Sequence, residues 1–342
     1  MRTKLKNNMK PVAVIILNWN GAKLLRKYLP SVVDGTNADI ADVIVADNGS
    51  SDDSIKVLEQ EFPQVKTWSF DKNYGFAGGY NKAIEQAKEY RYIVLLNSDV
   101  RTPDGWLDPL YHYLEDNPGV GAVQPKLLHD RDDGKRMFEY AGAAGGFIDK
   151  HGYPYCRGRV FEAVEDDHGQ YDGKDINIFW ATGACLMVRT ELYNRVGGLD
   201  EDFFAHMEEI DLCWRIHLSG NDVRIVTASE VFHLGGGSLP QGNPRKTYLN
   251  FRNSLFLLYK NLPVKDGKRL LFVRRLYDTL AFFMALAKFH GGDAKAIIKA
   301  HNDYRKHKGR YTCQPTENLL KTFPGAQRNI VIDYYLRGKK IF

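Results

Sequence analysis

Residues 94–100 read VLLNSDV. Ile93, Val94, Leu95 and Leu96 form an apolar run suited to a strand buried on both faces. The run stops abruptly at Asn97-Ser98-Asp99, just before RTPDGW. Three stretches upstream have a related form: PVAVIILNWN (11–20), ADVIVADNGS (41–50) and the shorter VKTWSF (65–70). Helical spacings lie between them, in AKLLRKYLPSVV (22–33), SSDDSIKVLEQEF (50–62) and GGYNKAIEQAKE (78–89). The second of these opens with Ser and Asp, whose side chains cap free N–H groups. Strands alternating with helices predict a parallel sheet covered on both faces. Such sheets gather ligands beyond the carboxyl ends of their strands. Asn18, Asp47, Lys72 and Asp99 all fall at or just past that edge. A carboxylate that ends a buried strand is thereby offered to a ligand, with capping of the TPDGW turn as the alternative.

The remainder divides by character. Residues 129–176 are rich in Gly, Tyr and charge, with turn pairs such as DDGK and HGYP, and read as an irregular insertion. ATGACLMVRTEL (181–192) reads as a strand leading into a helix, and GGLDEDFFAHMEEIDLCWRIHLSG (197–220) as a loop before a helix starting near Glu208. DVRIVTASEVFHLGGGS (222–238) reads as a strand ending in a Gly-rich loop, and from about residue 246 long helical patterns take over. The net charge of +5 conceals an asymmetry: residues 245–342 hold 21 Lys and Arg against 6 Asp and Glu. A basic tail on an acidic body points to an anionic partner, nucleic acid or lipid, or to a solvated helical surface. The helix expected over 265–290 mixes Leu270, Leu271, Phe272, Leu276, Phe282, Phe283 and Leu286 with Lys268, Arg269, Arg274 and Arg275, the pattern of a helix lying on an anionic leaflet. Nucleic acid is disfavoured, because the tail offers charge without a recognisable module. Cys156, Cys185, Cys213 and Cys313 are widely spaced with no CxxC pair, which fits reduced cytoplasmic thiols better than zinc or a disulfide framework. MRTKLKNNMK is basic but lacks a signal-peptide core, and LAFFMALA (280–287) is too short to span a bilayer.

Seven motifs then occur in order: VIILNWNG, VIVADNGSSDDS, DKNYGFAGGYNKAI, LLNSDV, FWATGACLMVR, GGLDEDFFAHMEEIDLCWR and VFHLGGGS. Together, over roughly residues 10–260, they resemble family 2 glycosyltransferases of the GT-A fold, in the rhamnosyltransferase-like branch of polysaccharide assembly. The resemblance implies an α/β fold with a Rossmann-like, mainly parallel sheet flanked by helices. Residues 10–245 would form the catalytic domain, with the nucleotide-sugar half over about 10–100 and the acceptor half over about 101–245. Residues 246–342 would form the basic helical extension. The implied donor is a dTDP- or UDP-linked sugar, with Asp47 accepting from the base imide. Asn18 and Asn20 would line the same slot or make turn bonds. Lys72 and the Gly-rich helix start suit the diphosphate, since helix N-termini attract anions; Asn73 and Asn81 would orient the donor.

The family often ends this strand in Asp-x-Asp, whose last carboxylate holds a divalent cation. Here Asn97 replaces the first carboxylate, leaving Asp99, and the resemblance brings in His233 as a further ligand. A mixed oxygen and nitrogen set suits Mn²⁺ or Mg²⁺, the imidazole leaning towards Mn²⁺. An acidic pair at a later helix start supplies the catalytic base; Glu208-Glu209 stands there, and the resemblance favours Glu209. Helix-dipole stabilisation is expected to keep it ionised at neutral pH. Trp180 is a candidate acceptor-stacking face or a core residue, with Thr182 and Gly183 beside it in the acceptor site. Arg252 would meet the diphosphate or a surface carboxylate. The expectation is an inverting transfer of a sugar, rhamnose being one choice, to a cell-surface or lipid-linked glycan. The protein would sit in the cytoplasm, against the inner face of the membrane through its C-terminal helices. The Asn97 departure keeps open a catalytically impaired sugar-nucleotide or glycan-binding module.

Overall fold

The computed structural model describes residues 9–235, 243–312 and 314–342. The latter part of VFHLGGGS, most of the basic N-terminal stretch and Cys313 lie outside them. β1 (Val12–Asn18), β2 (Ala41–Asp47), β3 (Lys66–Ser69) and β4 (Tyr92–Asn97) form the expected parallel set. α1 (Ala22–Gly35), α2 (Ser54–Glu61) and α3 (Gly75–Gln86) connect them. The sheet continues through β5 (Val100–Arg101), β6 (Val120–His129), β11 (Cys185–Arg189) and β12 (Asp222–His233), in the order β3-β2-β1-β4-β11-β6-β12-β5. β11 runs antiparallel to both β4 and β6, while β12 runs parallel to β6. The carboxyl ends of β1, β2, β4 and β12 and the amino end of β11 therefore share one edge. Two apolar layers cover the sheet, one of them built around Ile15, Leu95, Leu186, Phe179 and Trp214, the other around Val14, Val94, Leu96, Leu107 and Met187.

Strand β6 has no counterpart in the sequence reading. Its run VGAVQPKLLH places Gln124, Pro125 and Lys126 in mid-strand, all of which disguise a central strand. Opposite them, the β6–β12 register shifts between Val226 and Glu230, so Thr227–Ser229 bulge out of the ladder. Lys126 is buried but lies 3.0 Å from Asp167 and 2.8 Å from Asp172. Buried charge of this kind is tolerated only when paired.

The stretch expected to be irregular holds a small antiparallel sheet: β7 (Gly146–Ile148), β8 (Pro154–Cys156), β9 (Arg159–Val160) and β10 (Ala163–Val164). The chain end returns to it. Phe342 packs against Phe147 and Tyr155, and Tyr155 OH donates to Gly325 O at 2.9 Å.

After α4 (Asp108–Asp116), α5 (Thr190–Arg195) and α6 (Glu208–Leu218), the C-terminal region begins with α7 (Pro244–Asn261), α8 (Val264–Ala287) and α9 (Gly291–His307). Helix α7 is tied into the body: Lys260 Nζ lies 2.6 Å from Asp200 and 2.9 Å from Asp211, and Asn261 donates to Asp211 at 2.7 Å. Arg274, expected as an outward cation, is buried. Its guanidinium stacks on Tyr153 and donates to the carbonyls of His151 and Gly152. Among the described residues no helix is long and apolar enough to cross a membrane.

Candidate active site

At the carboxyl ends of β1 and β2 the polar side chains form a hydrogen-bond network. Asn18 Nδ2 donates to Asp47 Oδ2 at 2.9 Å and to Ser50 Oγ at 3.2 Å, and Asp47 Oδ1 accepts from Ser50 N at 2.9 Å. Asp47 and Asn18 are both buried, and Asn18 Oδ1 is left without a partner. Asn20, at φ +51°, points its Oδ1 at the backbone N–H groups of Ser51 and Asp52 and so fixes the loop after β2. Gly49 is required there: at φ +74°, a Cβ would lie 2.5 Å from the Lys72 carbonyl carbon. That approach packs the loop after β2 against the loop after β3. Asn48 bridges them, donating to Asn73 Oδ1 at 3.1 Å and Gly75 O at 2.9 Å. Asn73 Oδ1 in turn accepts from Gly75 N, at the start of α3. The Gly-rich run is thus the first turn of the helix rather than a loop before it. Lys72 is exposed beside Tyr74. Asn81 is committed elsewhere in the fold: its amide donates to Leu199 O and accepts from Tyr193 OH at 2.6 Å.

One residue here escaped the sequence reading. Trp19 is 56% exposed, next to Asn18 and Asn20. A bare indole at a binding edge is a large flat surface suited to stacking. Its signal lay in LNWN, an aromatic at a strand end.

At the ends of β4 and β12, Asp99 Oδ1 lies 3.1 Å from His233 Nε2, and Asn97 Nδ2 is 3.4 Å from the same nitrogen. Glu139 Oε1 is 3.3 Å from His233 Nδ1, an ion-pair contact without good hydrogen-bond alignment. Glu139 was also missed; it sits in the irregular stretch with no motif around it. Burial alone would lower the His233 pKa, but the bonds to Asp99 and Glu139 outweigh it and push it to about 10. Among the described residues no cluster of three or more His, Cys, Asp or Glu side chains is set to hold a metal. Asp99 and His233 do converge, and their oxygen and nitrogen donors are of the kinds that would hold Mn²⁺ or Mg²⁺. Glu139 stands at the far imidazole nitrogen, close enough to pair with it and so to bias the ring's orientation.

The start of α6 is built differently. Glu208 is buried and Glu209 partly so, and each has an Oε2 that is buried without a partner. Burial, and then the charge of Glu209, raises the Glu208 carboxyl well above its usual range; burial pushes Glu209 up to about 7. Desolvation therefore opposes the helix dipole, and Glu209 keeps its proton to higher pH than the sequence suggested. Asp211 pairs instead with Arg215, Lys260 and Asn261; although burial opposes it, these partners hold its pKa below the usual value. Gly183 adjoins Glu209, since a Cβ there would lie 3.8 Å from the Glu209 Cβ and 3.2 Å from Phe76. Thr182 is buried, its N–H donating to Gln124 Oε1 at 3.0 Å, and it holds the turn that carries Gly183. Trp180 belongs to the core: it is buried, lies against Gly146 and donates from Nε1 to Phe147 O at 2.8 Å. It is not an open stacking face.

The loop before α6 is strained. Phe204 (φ +64°, ψ −55°) is the centre of a γ-turn closed by Ala205 N–H to Phe203 O at 2.7 Å, and His206 and Met207 also have positive φ. Asn253 holds this loop, donating to the carbonyls of Phe203, Ala205 and His206. Arg252 donates to the carbonyls of Asp202 and Phe203 and so helps to hold the same loop. The Phe204 ring covers Gly75, where a Cβ would come within 3.0 Å. The loop before α6 and the start of α3 are thus in contact.

The family model for glycosyl transferase family 2 matches residues 13–197. The chain belongs to this family. Its relatives include an N-acetylglucosaminyl-diphospho-decaprenol L-rhamnosyltransferase of Mycobacterium tuberculosis, 26% identical over 64% of this chain and 75% of the relative. The rhamnosyltransferase WbbL of Escherichia coli is 27% identical over 60% of this chain and 78% of the relative. The fold is GT-A. A mannosyltransferase of Pyrobaculum calidifontis solved with GDP-Man and Mn²⁺ superposes with a TM-score of 0.53 at 15% identity, covering 87% of this chain and 88% of that one. GalNAc-T7, solved with UDP, GalNAc and Mn²⁺, gives 0.56 at 17% identity, over 74% of this chain and 48% of the other.

Proposed function

We propose that this family 2 glycosyltransferase is a divalent-cation-dependent inverting enzyme that moves a sugar, rhamnose being the leading choice, from a dTDP- or UDP-sugar to a lipid-linked saccharide. The observation that carries the reading is the unpartnered, buried Oε2 of Glu209 beside Gly183, on a carboxyl poised near pH 7. A general base works best with a pKa near the operating pH. The acceptor hydroxyl loses its proton to Glu209 as its oxygen bonds to the anomeric carbon; the bond from that carbon to the diphosphate oxygen breaks, and the diphosphate leaves with the electron pair. A cation held by Asp99 and His233 would supply charge stabilisation for the leaving group. Asp47 would accept from the base imide, while Trp19 offers a stacking face and Lys72 with the α3 start receives phosphate. The choice of rhamnose and of a diphospho-lipid acceptor follows what the M. tuberculosis relative acts on. The C-terminal helices would bring the enzyme to the membrane surface.

A panel of dTDP- and UDP-sugars, assayed for nucleotide release with and without Mn²⁺, tests the reading. Release that needs Mn²⁺ and is lost in Glu209→Gln supports it. Tight nucleotide binding without turnover on any donor supports the impaired module that Asn97 keeps open.

A further inference from the structure

We propose that a cleft between α7, α8 and α9 binds the phosphate headgroup of an anionic lipid, with the bilayer lying along the outer face of α8. The cleft has a volume of about 310 Å³. Lys268 and Arg275 enter it from α8, Arg305 comes from α9 and Lys308 from just beyond it, and Leu271 and Phe272 form an apolar wall. Among the described residues no Asp or Glu lines it. Each carboxylate carried by α8 and α9 has a partner, and that of Asp278 includes His301, which itself lines the cleft. Asp266 pairs with Lys321, and Asp278 with Arg274 and His301. Asp293 accepts from Thr247, and Asp303 from Tyr248. The cleft therefore gathers positive charge around an apolar wall, the chemistry of an anion that carries a hydrocarbon tail.

The surface beside it completes the argument. Phe272, Leu276, Leu280 and Phe283 are each more than half exposed, and their spacing of four, four and three places them on one face of α8. Phe272 belongs to both the cleft wall and this stripe, so a chain leaving the cleft meets apolar surface at once. An apolar stripe rimmed by cations sits at the boundary of headgroup and acyl layers. Charge alone would also suit a nucleic acid, but the stripe would then be left in water. A second copy docked by a two-fold axis through this face would set like charges against each other. The inference rests on the membrane reading of the extension and not on the catalytic assignment.

The test is flotation of the full chain with vesicles of phosphatidylcholine alone or mixed equally with phosphatidylglycerol. Binding is expected only to the mixed vesicles. Each basic residue near an anionic surface contributes on the order of fivefold in binding. The pair Arg275→Glu/Lys308→Glu should therefore lose at least about tenfold, while Lys288→Glu/Lys295→Glu, outside the cleft, loses clearly less. Phe272→Ser should also weaken binding. Retained nucleoside diphosphate binding shows that each variant is folded, and Arg275→Gln/Lys308→Gln replaces the reversal pair if that pair fails this check. Equal losses in the two pairs overturn the cleft in favour of diffuse adsorption. Saturation by inorganic phosphate without vesicle binding overturns the lipid assignment. Failure of the intact chain to float overturns both cleft and membrane contact, and leaves the donor site untouched.

Discussion

The two halves of the active site handle polar atoms in opposite ways. Around Asp47 the side chains and loop backbones of Asn18, Asn20, Ser50 and Asn73 satisfy one another, and Asn18 Oδ1 is the exception. At the start of α6, two neighbouring carboxylates each keep a buried oxygen with no partner, behind a loop of positive-φ residues. A satisfied network is rigid and cheap to maintain; unsatisfied buried carboxylates cost stability and hold it in reserve for chemistry. That contrast is what the proposed roles require: recognition by a preformed network around Asp47, and proton transfer at an unpaired carboxylate on α6.

The sharpest way to break this contrast is Glu209→Gln. Turnover should fall ~100-fold or more while donor binding stays near normal. The same change should raise the melting temperature at pH 8. Glu209 has a folded pKa of about 7, raised by burial from 4.5, so the folded state holds its proton more tightly. Its ionisation therefore costs stability as pH rises through that window, and glutamine removes the cost. Lost turnover without gained stability would show that the carboxylate is not held at a cost.

Next in size, Asp99→Ala should abolish nucleotide-dependent Mn²⁺ binding, and Glu139→Gln should weaken it about tenfold by freeing the His233 ring. Mn²⁺ paramagnetic resonance with a nucleoside diphosphate present reads both. Unchanged affinity in Glu139→Gln would reduce that residue to a packing role.

Asp47→Ala should weaken free dTDP or UDP binding by roughly 1–3 kcal/mol, measured by calorimetry with metal saturating. Little change would mean that the network serves the loop and not the base.

Metal-free protein offers a subtler test. His233 has its pKa raised from 6.5 to about 10, so its contribution is fully present below pH 6.5 and fades as pH rises through 10. The melting temperature of the apo protein should fall across that range, and His233→Gln should flatten the slope. Smallest of all, Trp19→Ala should cost nucleotide affinity about 0.5–1.5 kcal/mol without touching kcat.

How far the sequence led differs between the same two halves. The parallel strands were legible because each apolar run ends in Asn or Asp, and that places Asn18, Asp47 and Asp99 on one edge. Lys72, from the loop after β3, and His233, at the end of β12, come to the same side. Strand β6 was not legible, since Pro125 and the buried Gln124 and Lys126 imitate a loop; their burial depends on Thr182, Asp167 and Asp172, all distant in the chain. Trp180 shows the limit for aromatics: a core ring and a sugar platform have the same letter. Arg274 shows it for cations, because its partners Tyr153 and His151 lie in the insertion. The pKa of Glu209 was misjudged for a related reason, as the helix dipole can be read locally and burial cannot.

The pin through Asn253 has a consequence for the order in which the site is completed. Left-handed or γ-turn residues such as Phe204, His206 and Met207 cost of order 1–3 kcal/mol each and persist only when surroundings impose them. What imposes them comes 47 to 50 residues later in the chain. The strand ends that carry Asn18, Asp47 and Asp99 precede this pin in the chain, whereas the loop before α6 gains its hydrogen-bond partner only once α7 is present. The geometry at the start of α6 is therefore completed late in synthesis, by a side chain that the polypeptide adds after the whole eight-stranded sheet.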